Sequence, residues 1–119
     1  MTSEILKIDP DQRLVFGFAS VADEVDTQND VISETELEKS AYNFVLNSRR
    51  GGAMHTRTVG RLVESCFFSK AKQQALGIDL GRVAWLVGFK IDDDATWDEV
   101  KKGKLSAFSI HGKARRAKI

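Results

Sequence analysis

Hydrophobic positions alternate with polar ones in several short stretches and recur at helical spacing in others, and these two periods divide the chain into strands and helices. Ile5-Leu6-Lys7-Ile8 and Leu14-Val15-Phe16-Gly17-Phe18-Ala19-Ser20 are strand-like, with Asp9-Pro10-Asp11-Gln12 between them as a turn, so the chain should open with a β-hairpin. Leu37, Ala41, Phe44 and Val45 then fall at i, i+4, i+7 and i+8. A capping box, Ser33-Glu34-Thr35-Glu36, precedes this stripe, and Gly51-Gly52 follows Arg49-Arg50 as an apparent stop, which predicts one amphipathic helix between them.

Val59 to Phe68 reads as a strand, and Ser69 as the cap of a short helix ending near Gly77. From Arg82 to Ile91 the alternation puts Val83, Trp85, Val87, Phe89 and Ile91 on one face. Thr96-Trp97-Asp98-Glu99 is a second capping box, beginning a helix that Gly103 stops. The last strand, Lys104 to His111, carries Leu105, Ala107, Ser109 and His111 on one face and Ser106, Phe108 and Ile110 on the other. About five or six strands with short interposed helices, no repeat and no linker predict a single α+β domain over residues 1–119. It should be a mainly antiparallel sheet or small barrel flanked by short helices.

Composition narrows the function classes more than it selects one. A chain of 119 residues is long enough for one core without disulfides. Its 18 Lys and Arg nearly balance 17 Asp and Glu, so no global field draws it to nucleic acid or to anionic lipid, and neither is expected as a partner. The basic stretch Lys113-Ala114-Arg115-Arg116-Ala117-Lys118 reads as a solvated tail. The single cysteine, Cys66, lies in an apolar run and reads as a buried thiol in a reducing compartment. No stretch resembles a signal peptide or approaches the roughly 18 apolar residues of a membrane span, which predicts a soluble intracellular protein.

Asp23, Glu24, Asp26 and Asp30 form an acidic cluster, but it lacks the central glycine and closing glutamate of a calcium loop and reads as solvated. Asp92-Asp93-Asp94 precedes a helix and suits its N-terminal dipole. There is no His/Cys cluster suited to zinc and no glycine-rich phosphate loop, so neither metal nor cofactor is expected.

What remains is nucleophile chemistry. A serine hydroxyl needs a base to take its proton, and imidazole has the pKa for that task. There are only two histidines, His55 behind the glycine pair and His111 two positions after Ser109. His55 as base and Ser109 as nucleophile is the pairing the sequence offers; Ser106 shares a face with Phe108 and Ile110 and reads as packing. A third group would orient the imidazole. Glu64, alternating with Leu62, Cys66 and Phe68, is the first candidate, and His111 is the rival third member or even the rival base.

Taken together, Val25-Asp-Thr-Gln-Asn-Asp30-Val-Ile-Ser33, Met54-His55, Val59-Gly60-Arg-Leu-Val63-Glu64-Ser65, Val87-Gly88-Phe89-Lys90 and Phe108-Ser109-Ile110 resemble the XkdF-type phage serine proteases. These are relatives of caudovirus prohead, or capsid maturation, proteases, and the resemblance covers roughly residues 10 to 116. It implies an assemblin-like fold shared with herpesvirus maturation proteases, a β-barrel flanked by helices. It also implies a serine endopeptidase with Ser109 as nucleophile and His55 as general base. Glu64 matches the family's Glu-Ser strand motif, and Arg115-Arg116 looks similar to the paired arginines that serve the oxyanion in herpesvirus relatives. Backbone amides near Ile110 to Gly112 compete for that role. The implied partners are the phage scaffolding protein, the major capsid protein and further copies of the chain, met within the assembling procapsid in the bacterial cytoplasm. A catalytically silent assembly module of the same fold is the competing expectation.

Overall fold

Order in the chain comes from a few strong local signals, and the computed structural model places most of them where the pattern puts them. It describes residues 2–24, 30–53, 57–103, 107–110 and 117–118. The elements are β1 (Thr2–Glu4), β2 (Lys7–Asp9), β3 (Leu14–Val21), β4 (Asp30–Val31), α1 (Glu34–Asn47), β5 (Arg50–Ala53), β6 (Arg57–Phe68), α2 (Lys70–Leu76), β7 (Ala84–Ile91), α3 (Asp94–Lys101), β8 (Ala107–Ile110) and β9 (Ala117–Lys118).

Seven strands form one sheet in the order β1-β8-β5-β6-β7-β3-β2, and every neighbouring pair is antiparallel. The chain is thus α+β, with an antiparallel sheet and three short helices. Among the described residues no ladder joins the two edges, β1 and β2, so the expected barrel is not closed. The reason lies in the opening segment, which splits at Ile5-Leu6 and sends one half to each edge. A flat sheet of this width would hold its edges roughly 29 Å apart, yet Glu4 and Lys7 are three peptide steps apart, about 11 Å at most. The sheet is therefore strongly curled. The Leu6 amide, bonded to the Phe16 carbonyl at 2.8 Å, fixes the break.

The core lies on one face of the sheet. Trp85, Val87, Phe89 and Ile91 of β7 and Val15 of β3 are buried there against Leu37, Ala41 and Phe44 of α1 and Trp97 and Val100 of α3. Phe44 is the pivot, meeting the Trp85 ring edge-on at 5.5 Å and the Phe89 ring at 6.1 Å. Trp85 keeps its polar end satisfied by donating from Nε1 to Ser65 Oγ at 2.9 Å. Each such aromatic removes enough apolar surface from water to contribute roughly 2–3 kcal/mol before entropy is counted. On the other face, Gly88 leaves room for the Phe16 ring opposite it, whose nearest carbon would stand 2.7 Å from any added Cβ.

Two helix-end expectations and one for the tail are revised. α1 ends not at the glycine pair but at Arg49, which takes a left-handed φ of 62° while the amides of Ser48 and Arg49 both bond the Phe44 carbonyl. Arg49 Nε also donates to the Val45 carbonyl, so side chain and backbone together hold a turn that glycine usually makes. Gly51 and Gly52 belong instead to strand β5. α3 begins at Asp94 under an Asp93 cap whose carboxylate accepts from the Thr96 amide at 2.9 Å, so Thr96 is inside the helix rather than ahead of it. The tail read as solvated is tied at its end, because Ala117 and Lys118 pair with Val31 and Asp30. The caps at Ser33 and Ser69 and the stops at Gly77 and Gly103 lie where the pattern placed them.

Candidate active site

The three consecutive aspartates take three separate jobs, none of them catalytic. Asp92 accepts a two-pronged hydrogen bond from Arg61 (2.7 and 3.1 Å), which lowers its carboxyl below the ordinary range against the opposing effect of desolvation. The guanidinium is raised in return, chiefly by the same bond. Asp93 is the helix cap, and Asp94 pairs with Arg13 at 2.6 Å. Cys66, expected to be buried, is a free thiol that is only partly covered.

Ser109 lies in β8, the strand that connects β1 to β5. In the ladder its neighbours are Thr2 of β1 on one side and Gly52 of β5 on the other. Gly52 in turn faces Thr58 of β6, and Gly51 faces both Ile110 and Gly60. The backbone level of Ser109 therefore runs Thr2, Ser109, Gly52, Thr58 across four strands. β5 is short because its hairpin partner follows at once, Ala53 pairing with Arg57.

His55 lies outside the described residues, three positions along the chain from Gly52. His111, Arg115 and Arg116 also lie outside them, between the end of β8 at Ile110 and the start of β9 at Ala117.

Glu64 is not brought to this level. It lies on β6 six residues beyond Thr58, four ladder levels once the bulged Val59 and Val63 are left out, or roughly 13 Å, and Val63 is bulged out between the pairs Leu62–Phe89 and Glu64–Gly88. That bulge turns Glu64 to solvent, at the rim of a groove of about 470 Å³ with Lys7, Ile8 and Phe16. The part of Glu64 in the expected triad would be toward the imidazole of His55, which lies outside the described residues. The alternation that suggested Glu64 was read through the bulge as if the strand were regular.

Gly52, whose sequence context reads as a helix stop, is instead the β5 residue that faces Ser109 in the ladder, while Arg49 provides the stop.

No helix among the described residues is long and apolar enough to cross a membrane. No solved structure matches the chain. Among curated proteins, it is 29% identical over 106 residues to "Uncharacterized protein YqbD" of Bacillus subtilis (strain 168), covering 87% of this chain and 32% of that protein. It is 26% identical over 111 residues to "Phage-like element PBSX protein XkdF" of the same strain, covering 87% of this chain and 38% of that one. The chain spans about a third of the length of these curated relatives. The family described as "Putative phage serine protease XkdF" matches residues 2–118, and with nearly every residue inside that match the chain belongs to this family.

Proposed function

We propose that the chain is a serine endopeptidase domain of phage capsid maturation, with Ser109 as nucleophile and His55 as general base. The observation that carries this is the ladder pair Gly52–Ser109. Opposite residues of antiparallel strands have Cα atoms about 4.5–5.5 Å apart, and three peptide steps reach at most about 11 Å, so the chain after β5 starts out beside the nucleophile strand. A histidine fifty-four positions away in sequence thereby becomes a neighbour in chain-path terms.

In this reading His55 takes the Ser109 proton as Oγ attacks a peptide carbonyl. The proton passes to the leaving amine, and water, activated by the same imidazole, releases the acyl group. Glu64, or in its place His111, two residues past Ser109, would orient the base. Arg115 and Arg116 would donate to the oxyanion. The assemblin-like architecture belongs to the same proposal, supported by the curled antiparallel sheet with helices packed on one face. So do the partners: scaffold, major capsid protein and other copies of the chain, within the procapsid of the infected bacterium.

Co-expression with scaffold and capsid protein tests it. Wild type should process them, and Ser109→Ala and His55→Ala should each lower the rate by at least about a thousandfold while remaining folded. Processing that persists in Ser109→Ala would remove the nucleophile assignment. Absence of processing by every form, with Ser109 inert to an alkyl fluorophosphonate, would leave the silent assembly module as the better account.

A further inference from the structure

Glycine inside a strand weakens it and commonly marks a place where another backbone comes close. Gly51 and Gly52 sit side by side in β5, and the usual reasons for glycine do not apply to them. The left-handed turn that ends α1 is made by Arg49. The hairpin reversal falls after Ala53. The irregularity between Gly51 and Gly52 places its extra residue, Val59, on β6 and not on β5.

The register separates the two glycines by face. Gly51 is opposite Gly60, which is opposite Ile91, and a Cβ on Gly60 would meet Phe89 and Ile91 at 3.2 and 3.4 Å, so this row belongs to the core face. Neighbouring residues of a strand take opposite faces. Gly52 and Ser109, paired with each other, therefore share the face turned away from Phe89 and Ile91. Side chains at such paired positions have their Cβ atoms about 4.5–5.5 Å apart, the width of one peptide unit. On the β1 side of Ser109 the paired position is Thr2, and on the β5 side it is Gly52, which carries no side chain.

We propose that Gly52 is a positioning residue, keeping the sheet face beside Ser109 open so that an extended peptide main chain can lie over β5 with its scissile carbonyl next to the hydroxyl. This rests on Ser109 being the nucleophile. The ligand class is the backbone of an unfolded or extended protein segment, and side-chain identity at the cleavage point matters less to this contact than the absence of bulk at position 52. A methyl at position 52 enters the lane, and an isopropyl group fills it.

Two probes that phosphonylate the same serine decide it: an alkyl fluorophosphonate, which needs only Oγ and its base, and a dialanyl phosphonate diphenyl ester, which must also seat a peptide main chain. Rates of Ser109 labelling are measured for wild type, Gly52→Ala and Gly52→Val, with thermal melting as the check on folding. Wild type should react with both. The variants should lose reaction with the peptidyl probe in order of size, about a hundredfold for valine, the scale of a 1 Å misplacement, while the alkyl probe slows by less than about threefold. Equal slowing of both probes, or none, would overturn the proposal. If valine prevents folding, the same comparison in Gly52→Ala decides. A wild type that takes the alkyl but not the peptidyl probe would also overturn it. A wild type inert to both would bring down the serine reading itself and this inference with it.

Discussion

Gln73 is the buried polar side chain whose partners account for all of its bonding. Its Nε2 donates to the carbonyls of Phe68 and Arg82 at 2.9 and 2.8 Å, and its Oε1 accepts from the Leu80 amide at 2.8 Å, so one amide ties α2 to the strand before it and to the loop after it. Nothing in the local pattern marks it, because a glutamine on a short helix beside Gln74 reads as surface; only the return of the 78–82 loop makes it interior. Gln73→Ala should cost about 2–3 kcal/mol, the penalty for leaving a buried donor and acceptors unpaired, read from urea denaturation. Gln73→Glu should be worse at neutral pH, since a carboxylate would face two carbonyls. That carboxyl would be raised above its unfolded value, so the variant should recover as pH falls through the raised pKa and it becomes a donor. A cost below about 0.5 kcal/mol for Ala would mean that the amide is not the tie described.

Helices and strands were legible where a single local signal decides them and illegible where two signals compete. Ser33 and Ser69 are followed by helix formers and cap as expected, and the alternation from Val83 to Ile91 matches the buried row of β7. Before α3, two acceptable caps stand three residues apart. Asp93 wins over Thr96 because starting the helix one turn earlier buries both Thr96 and Trp97, and because the Asp93 carboxylate serves the Thr96 amide and hydroxyl together. The two assignments differ in a measurable way. If Asp93 caps, Asp93→Ala should cost about 1–2 kcal/mol, and Glu99→Ala, outside any capping box, should stay within about 0.5 kcal/mol. The reverse ranking in chemical denaturation would restore the later start. The glycine pair failed for the same kind of reason. A helix stop and a bare strand carry the same two letters, and the outcome depended on whether Arg49 could hold a left-handed turn with its own side chain.

Across the molecule, the helix-covered core and the proposed active site are joined by a short mechanical route, and that route makes Phe44 more than a packing residue. Its ring is wedged against Trp85 and Phe89, its carbonyl receives the amides that end α1, the Arg49 carbonyl then accepts from Leu62 of β6 at 3.1 Å, and β5 begins at the next residue. The strand that pairs Gly52 with Ser109 thus follows directly from a helix seated on the core face of the sheet. None of this was readable from sequence, because the alternation that locates each strand says nothing of strand order, and the antiparallel placement of β8 between β1 and β5 is a long-range choice. The consequence is a separation of stability from activity. Phe44→Ala should cost about 3–5 kcal/mol, seen as a lower urea midpoint of the emission of Trp85 and Trp97, both buried and so both reporting global unfolding. Phe44→Leu keeps most of the volume and should cost about 1–1.5 kcal/mol, leaving the protein folded at 25 °C. Yet a leucine cannot reproduce the two edge-on ring contacts that fix the end of α1, so β5 should shift by a fraction of an ångström. If Ser109 and His55 act as proposed, labelling of Ser109 by the alkyl fluorophosphonate should then fall about tenfold in a folded protein, the rate expected for a misplacement well under 1 Å. Unchanged labelling in folded Phe44→Leu would mean that β5 is held by its ladders alone and that the helix seat and β8 are mechanically independent.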